Sequence, residues 1–94
     1  MIASFRSIET ERIWRGERSR RLPSWIHAAA LRKLRLLNRA QILGDLAAPR
    51  GNRLEALAGT RQGQYSLRVN DQWRVCFRWT DRGAENVEIV DYHS

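Results

Sequence analysis

Thiols are almost missing from this chain. Cys76 is the only cysteine among 94 residues, which excludes an internal disulfide and any cysteine-rich zinc site. The two histidines, His27 and His93, are not in an H-x-x-H or HExxH spacing, so neither a metal centre nor a cofactor is expected. Long apolar runs are also lacking. Met1-Ile2-Ala3 is followed at once by Arg6, Glu9, Glu11 and Arg12, so residues 1–25 hold nothing like the core of a signal peptide. No membrane span is legible, and a reducing cytoplasm is the expected compartment. Lysine is scarce too: of 17 cationic side chains, 16 are arginine and only Lys33 is lysine. Against 10 acidic residues this leaves a formal charge of +7. An arginine-rich surface offers planar forks for phosphate, so nucleic acid or the ribosome is the expected partner class.

What is present suffices for one domain, spanning residues 1–94. The hydrophobic share is 43% with four tryptophans, enough for one core without staples. Ile2 to Arg6 reads as a short opening strand. Ser7 can cap a helix from Ile8 to Arg15, with Glu9 and Glu11 in its first turn and Gly16 at its end. The polar, basic run from Gly16 to Leu22 reads as a mobile loop. Pro23-Ser24 opens the main helix, which runs from Trp25 to about Gln41. Ile26, Ala30, Leu34 and Leu37 form its apolar face, and Arg32, Arg35 and Arg39 a separate cationic stripe. That stripe is either a solvated face or a surface for nucleic acid or an acidic partner.

The second half changes to a period of two. Tyr65, Leu67 and Val69, then Trp73, Val75, Phe77 and Trp79, then Val87 and Ile89 alternate with polar or outward residues. These are three antiparallel strands, with Arg53 to Leu57 a shorter fourth. The fold class is α+β, with two N-terminal helices packed on a small antiparallel sheet.

Register follows from keeping both apolar sets on one face. It pairs Leu67 with Val75 and Tyr65 with Phe77 around the loop Asn70-Asp71-Gln72. Arg68 then lies opposite Arg74, and Gln64 opposite Arg78. Pairing Trp79 with Val87 and Phe77 with Ile89 sets Arg78 opposite Glu88 and Arg74 opposite Tyr92. The outer face thus carries a row Arg68–Arg74–Tyr92. Arg74 is expected to point off the core and serve only phosphate. Facing arginines repel, and a phosphate between them turns that cost into a gain. Tyr92 offers a ring for base stacking, and His93 a group able to move a proton. Asp91 points by parity to the core side, able to cap the sheet or orient His93. Cys76 faces outward as a small filler rather than a nucleophile.

A resemblance adds to this reading. The stretch Asn52-Arg53-Leu54-Glu55-Ala56-Leu57, the run from Gly59 through Gly63 to Phe77 containing Asn70-Asp71-Gln72-Trp73-Arg74, and the closing Asp91-Tyr92-His93 together resemble the HigB-type killer proteins of the RelE toxin superfamily. The resemblance covers nearly the whole chain and is strongest from Asn52 onward. It implies a ribosome-dependent mRNA endonuclease acting in the A site. It also implies a cognate helix-turn-helix antitoxin of the HigA type, with operator DNA reached only through the complex. Carried over, Arg74 matches the phosphate-binding arginine, and Asp91, Tyr92 and His93 match the terminal motif that contributes to cleavage. Arg61, Arg68 and Arg78 are further phosphate-binding candidates. The chain departs from the family at Glu55, where related members often have His, and at Ala58, where they have Lys. Glu55 is therefore a candidate general base or a partner for a nearby arginine, and the missing lysine implies either weaker activity or a role passed to Arg61 or Arg68. The rival readings are a growth inhibitor of the same fold that binds without cutting, and a co-repressor acting mainly with its antitoxin.

Overall fold

The computed structural model describes residues 1–92, and two helices and four strands make up its frame. Helix α1 (Ile8–Trp14) begins where Ser7 Oγ accepts the Thr10 amide at 3.3 Å, and Glu9 and Glu11 sit in its first turn. It stops before Gly16, whose φ of +79° lies in the left-handed region that glycine tolerates. Helix α2 (His27–Arg39) follows a single helical turn at Ser24–Ile26 behind Pro23. It buries Ala30, Leu34 and Leu37 and leaves Arg32, Arg35 and Arg39 exposed. Strands β1 (Glu55–Ala56), β2 (Tyr65–Arg68), β3 (Trp73–Thr80) and β4 (Gly83–Asp91) form one antiparallel sheet in chain order. Ile26, Leu34, Leu37, Leu67, Val75, Phe77, Val87 and Ile89 are members of one buried cluster between helices and sheet. Among the described residues, no helix is long and apolar enough to cross a membrane.

The β2–β3 register is as expected: Tyr65 pairs with Phe77, Leu67 with Val75 and Arg68 with Arg74. Asn70 builds the turn, its Oδ1 accepting the amides of Gln72 and Trp73 at 2.8 Å each. The β3–β4 register corrects the expectation. Val75 pairs with Ile89, Cys76 with Glu88 and Arg78 with Glu85, so Glu88 does not face Arg78, and Arg74 faces Val90 rather than Tyr92. The cause is a tight hairpin closing Thr80 on Gly83, followed by a bulge opposite Phe77. Asn86, at φ +55°, is the extra residue.

The opening segment also differs from expectation. It makes only two isolated parallel bridges to β4, Ile2 with Ala84 and Phe5 with Val87, and Ser4 Oγ accepts the amide of Asn86 at 2.9 Å. The basic run after α1 is exposed at Arg18, Arg20 and Arg21 and anchored at Ser19. Ser19 is buried, donates its hydroxyl to Glu9 at 2.7 Å and accepts the Leu22 amide at 3.1 Å.

Gly83 is the tightest point of the frame. Its φ is +107°, and a side chain there would strike the carbonyl oxygen of Met1. Gly83→Ala is expected to cost more than ~1 kcal/mol, since the backbone is strained and the obstacle is backbone rather than a yielding side chain. Urea unfolding of the variant checks this, and an unchanged midpoint would count against the docking of residues 1–5 on β4.

Candidate functional site

The face of the sheet turned away from α1 and α2 collects the polar side chains that alternation sends outward. Arg74 lies at its centre, at the start of β3. Its backbone position is the expected one, but its side chain is only 10% exposed. Its Nε donates to Ser66 Oγ at 2.6 Å, and its Nη2 donates to the Arg53 carbonyl at 2.6 Å. Glu55 Oε2 stands 3.9 Å from the same Nη2. The guanidinium thus ties β1 and the segment before it to the middle of the sheet. The expectation that Arg74 serves only phosphate is overturned, because a cation this buried must be hydrogen-bonded within the chain. Arg53 offers its carbonyl from a left-handed conformation, φ +43°.

Tyr92 lies over Arg74, with the guanidinium carbon 5.8 Å from the ring centroid, within the range of a cation–π contact. It comes from the diagonal of the β3–β4 pairing, since its amide donates to the Gln72 carbonyl at 2.7 Å. Tyr92 as a whole is 44% exposed. Asp91 pairs with Trp73 on the core side, as parity requires, but at the exposed end of β4, where it accepts from Gln72 Nε2 at 3.0 Å. His93, the expected proton-transfer group, lies outside the described residues.

The remaining cations are sorted by their partners. Arg68 faces Arg74 and pairs with Asp71. The repulsion expected between the two arginines is therefore offset inside the chain, by Asp71 on one side and Glu55 on the other. Arg61 Nη1 donates to Glu88 at 2.8 Å and to Gln64 Oε1 at 3.1 Å, and Arg6 approaches the same Glu88 oxygen at 3.9 Å. Arg61 is thus anchored at the edge of the face. Arg78 is exposed, with its Nη1 close to Gly63, where an added Cβ would come within 2.8 Å of it. Cys76 lies fully buried beneath this layer, and burial pushes its thiol up to about 11, so it remains a protonated filler.

Sequence reasoning missed Ser66, the Arg53 carbonyl and the Glu88–Arg61 pair. Ser66 was within reach, because its place two residues before Arg68 gives it the same outward parity and puts it beside Arg74. The left-handed turn at Arg53 has no signal in an Arg-Leu-Glu sequence. Among the described residues, no group of His, Cys, Asp and Glu is arranged to hold a metal ion.

A helical layer behind a four-stranded antiparallel sheet, with an arginine-centred outer face, defines the class: a RelE-like toxin of a type II toxin–antitoxin system, a class that has an antitoxin as partner. Within that class the chain belongs to the HigB-like toxin family. The model of that family, described as the RelE-like toxin of type II toxin–antitoxin system HigB, matches residues 3–93. Toxin HigB-1 of Vibrio cholerae serotype O1 is 45% identical over 73 residues, covering 78% of this chain and 77% of that protein. An uncharacterized protein of Haemophilus influenzae is 30% identical over 79 residues, covering 84% of this chain and 77% of the other.

Proposed function

We propose that the chain is a ribosome-dependent mRNA endonuclease that arrests translation and is neutralised by a helix-turn-helix antitoxin. The observation that carries this reading is the pairing of Arg74 with Tyr92 beside Glu55 on the outer face. Arg74 commits Nε and Nη2 to the chain, which leaves Nη1 for a phosphoryl oxygen. Tyr92 stacks on a base of the same strand, worth about 1–3 kcal/mol. Arg68 supplies a second cation across the strand pair. Cleavage then needs a base that takes the proton of the 2′-hydroxyl as O2′ bonds to its own phosphorus. The P–O5′ bond breaks, and an acid returns a proton to O5′, leaving a 2′,3′-cyclic phosphate. We assign the base to Glu55, exposed and next to Arg74, and the acid to His93, which lies outside the described residues, with Asp91 in a supporting role. Each transfer contributes about 10²- to 10⁴-fold in rate. Toxin family membership supports growth arrest as the outcome.

The test is induction of the chain with mapping of mRNA 5′ ends, followed by cleavage on programmed ribosomes. New ends confined to translated regions, and lost in Tyr92→Ala, are the expected result. Growth arrest without new ends would leave the non-cleaving reading in place.

A further inference from the structure

Three of the arginines that the outer face does not use gather around one pocket. Arg12 on α1, Arg18 and Arg20 on the following loop, Ser24 in the turn before α2 and His27 at the start of α2 line a pocket of about 570 Å³ around Ser19. Among the described residues, ion pairs involve Arg6, Arg15, Arg61, Arg68 and Arg74, and none involves the three arginines of this pocket. Among the described residues, none of the nearby carboxylates, Glu9, Glu11 and Glu17, forms an ion pair with these three arginines. Glu9 accepts from Ser19, and Glu11 pairs with Arg15 at 2.9 Å. Ser19, buried and bonded at both ends, fixes the loop so that Arg18 and Arg20 flank one site. His27 is held as well, its Nε2 donating to the Leu22 carbonyl at 2.8 Å.

We propose that this pocket binds phosphate groups of folded RNA, forming a second RNA contact on the helical side of the molecule. Three unpaired forks around one cavity repel each other, and an incoming phosphate removes that repulsion while accepting bidentate hydrogen bonds. Every residue that lines it is polar or cationic. An acidic protein helix needs large apolar side chains as well, and these line a separate groove, where Trp14 and Leu36 sit among Arg32, Arg35 and Arg39. The pocket is built by α1, its loop and α2, which cover the inner face of the sheet, whereas Arg74 and Tyr92 lie on the outer face. A single strand held at Tyr92 does not account for it, and the matching ligand is a large folded RNA that reaches both sides of a body 31 × 28 × 25 Å across. The inference extends the endonuclease reading by naming how the ribosome is gripped, but its binding test does not depend on cleavage.

The experiment compares the full chain with Arg12→Gln/Arg18→Gln/Arg20→Gln and with the matching triple lysine variant. Binding to a fluorescein-labelled RNA hairpin and to purified ribosomes is followed across a salt series, with thermal unfolding and antitoxin affinity measured on the same samples. The glutamine variant is expected to lose roughly 10-fold or more in affinity at low salt, and its log–log salt slope to flatten by about 2. Lysine restores the slope but only part of the affinity, and melting temperature and antitoxin affinity stay unchanged. If ribosomal cleavage is present, its KM rises while kcat holds. An unchanged slope overturns the proposal, as does a loss of antitoxin affinity with RNA binding intact, which would make the pocket a protein site. Should the triple variant melt early, Arg18→Gln/Arg20→Gln, two exposed loop positions, gives the same reading with a smaller change of slope. If the wild-type chain proves not to cleave, the hairpin slope still decides the matter.

Discussion

Arg74→Ala is expected to lower ribosomal mRNA cleavage at least about 10²-fold and to lower the melting temperature at the same time. The first effect follows from removing the buried cation that would meet developing charge on the phosphoryl oxygens. The second follows from its hydrogen bonds, because Ser66 Oγ and the Arg53 carbonyl lose their donor in a covered site. Leaving such groups unmet costs about 1–3 kcal/mol. In a domain of this size each kcal/mol shifts melting by roughly 4–8 °C. Arg74→Lys keeps the charge but not the fork, so it cannot reproduce the separate donations from Nε and Nη2 and recovers only part of either loss. Arg68→Ala serves as the control for charge alone, since its partner Asp71 is exposed and the pair contributes little to stability. Cleavage assays and thermal unfolding on the three variants give the answer. A variant at Arg74 that melts like the wild type would remove the tether, and one that cleaves normally would remove Arg74 from the chemistry.

Phe77→Ala is expected to destabilise the fold by about 3–5 kcal/mol, a large share of the roughly 5–15 kcal/mol available to a domain. Phe77 is fully buried at mid-sheet, its ring 6.2 Å from that of Tyr65 and 6.4 Å from that of Trp79. Trp79 shares the alternation but is only half-buried near the hairpin, so Trp79→Ala costs less than Phe77→Ala. Arg78→Ala, outward and exposed, falls within about 0.5 kcal/mol of wild type. Denaturant unfolding that gave equal losses at 77, 78 and 79 would refute the assignment of faces.

Strong periodicity made the frame legible. The stripe on α2 and the alternation in β2 and β3 placed the core, and the three-residue loop after Val69 fixed the first register. The second register failed because apolar matching compares only the sums of two strands, and a bulge changes the count without changing composition. The site was legible as a set of residues and not as an arrangement. Arg74, Arg68, Tyr92 and Glu55 do meet on one face, since parity alone puts the strand residues there. The burial of Arg74 could not be read, because it depends on Arg53 turning left-handed and bringing its carbonyl over the sheet. Arg61 and Arg78 were equivalent in sequence but differ in the fold. Glu88 holds the first, whereas the second stands exposed, because the register slides Glu88 back to Cys76.

The extra residue at Asn86 sets the phase of everything beyond it. Ala84 and Val87 both turn inward, although an odd interval separates them, and from there Ile89 continues inward. Position 92 falls on the outer side only because that half-step is inserted. The bulge therefore works as a parity switch near the hairpin whose output is read at the far end of the strand, at the ring over Arg74. The opening segment clamps the switch, with Ser4 holding the Asn86 amide. The first residues of the chain thereby help decide which side of the sheet the Tyr92 ring occupies.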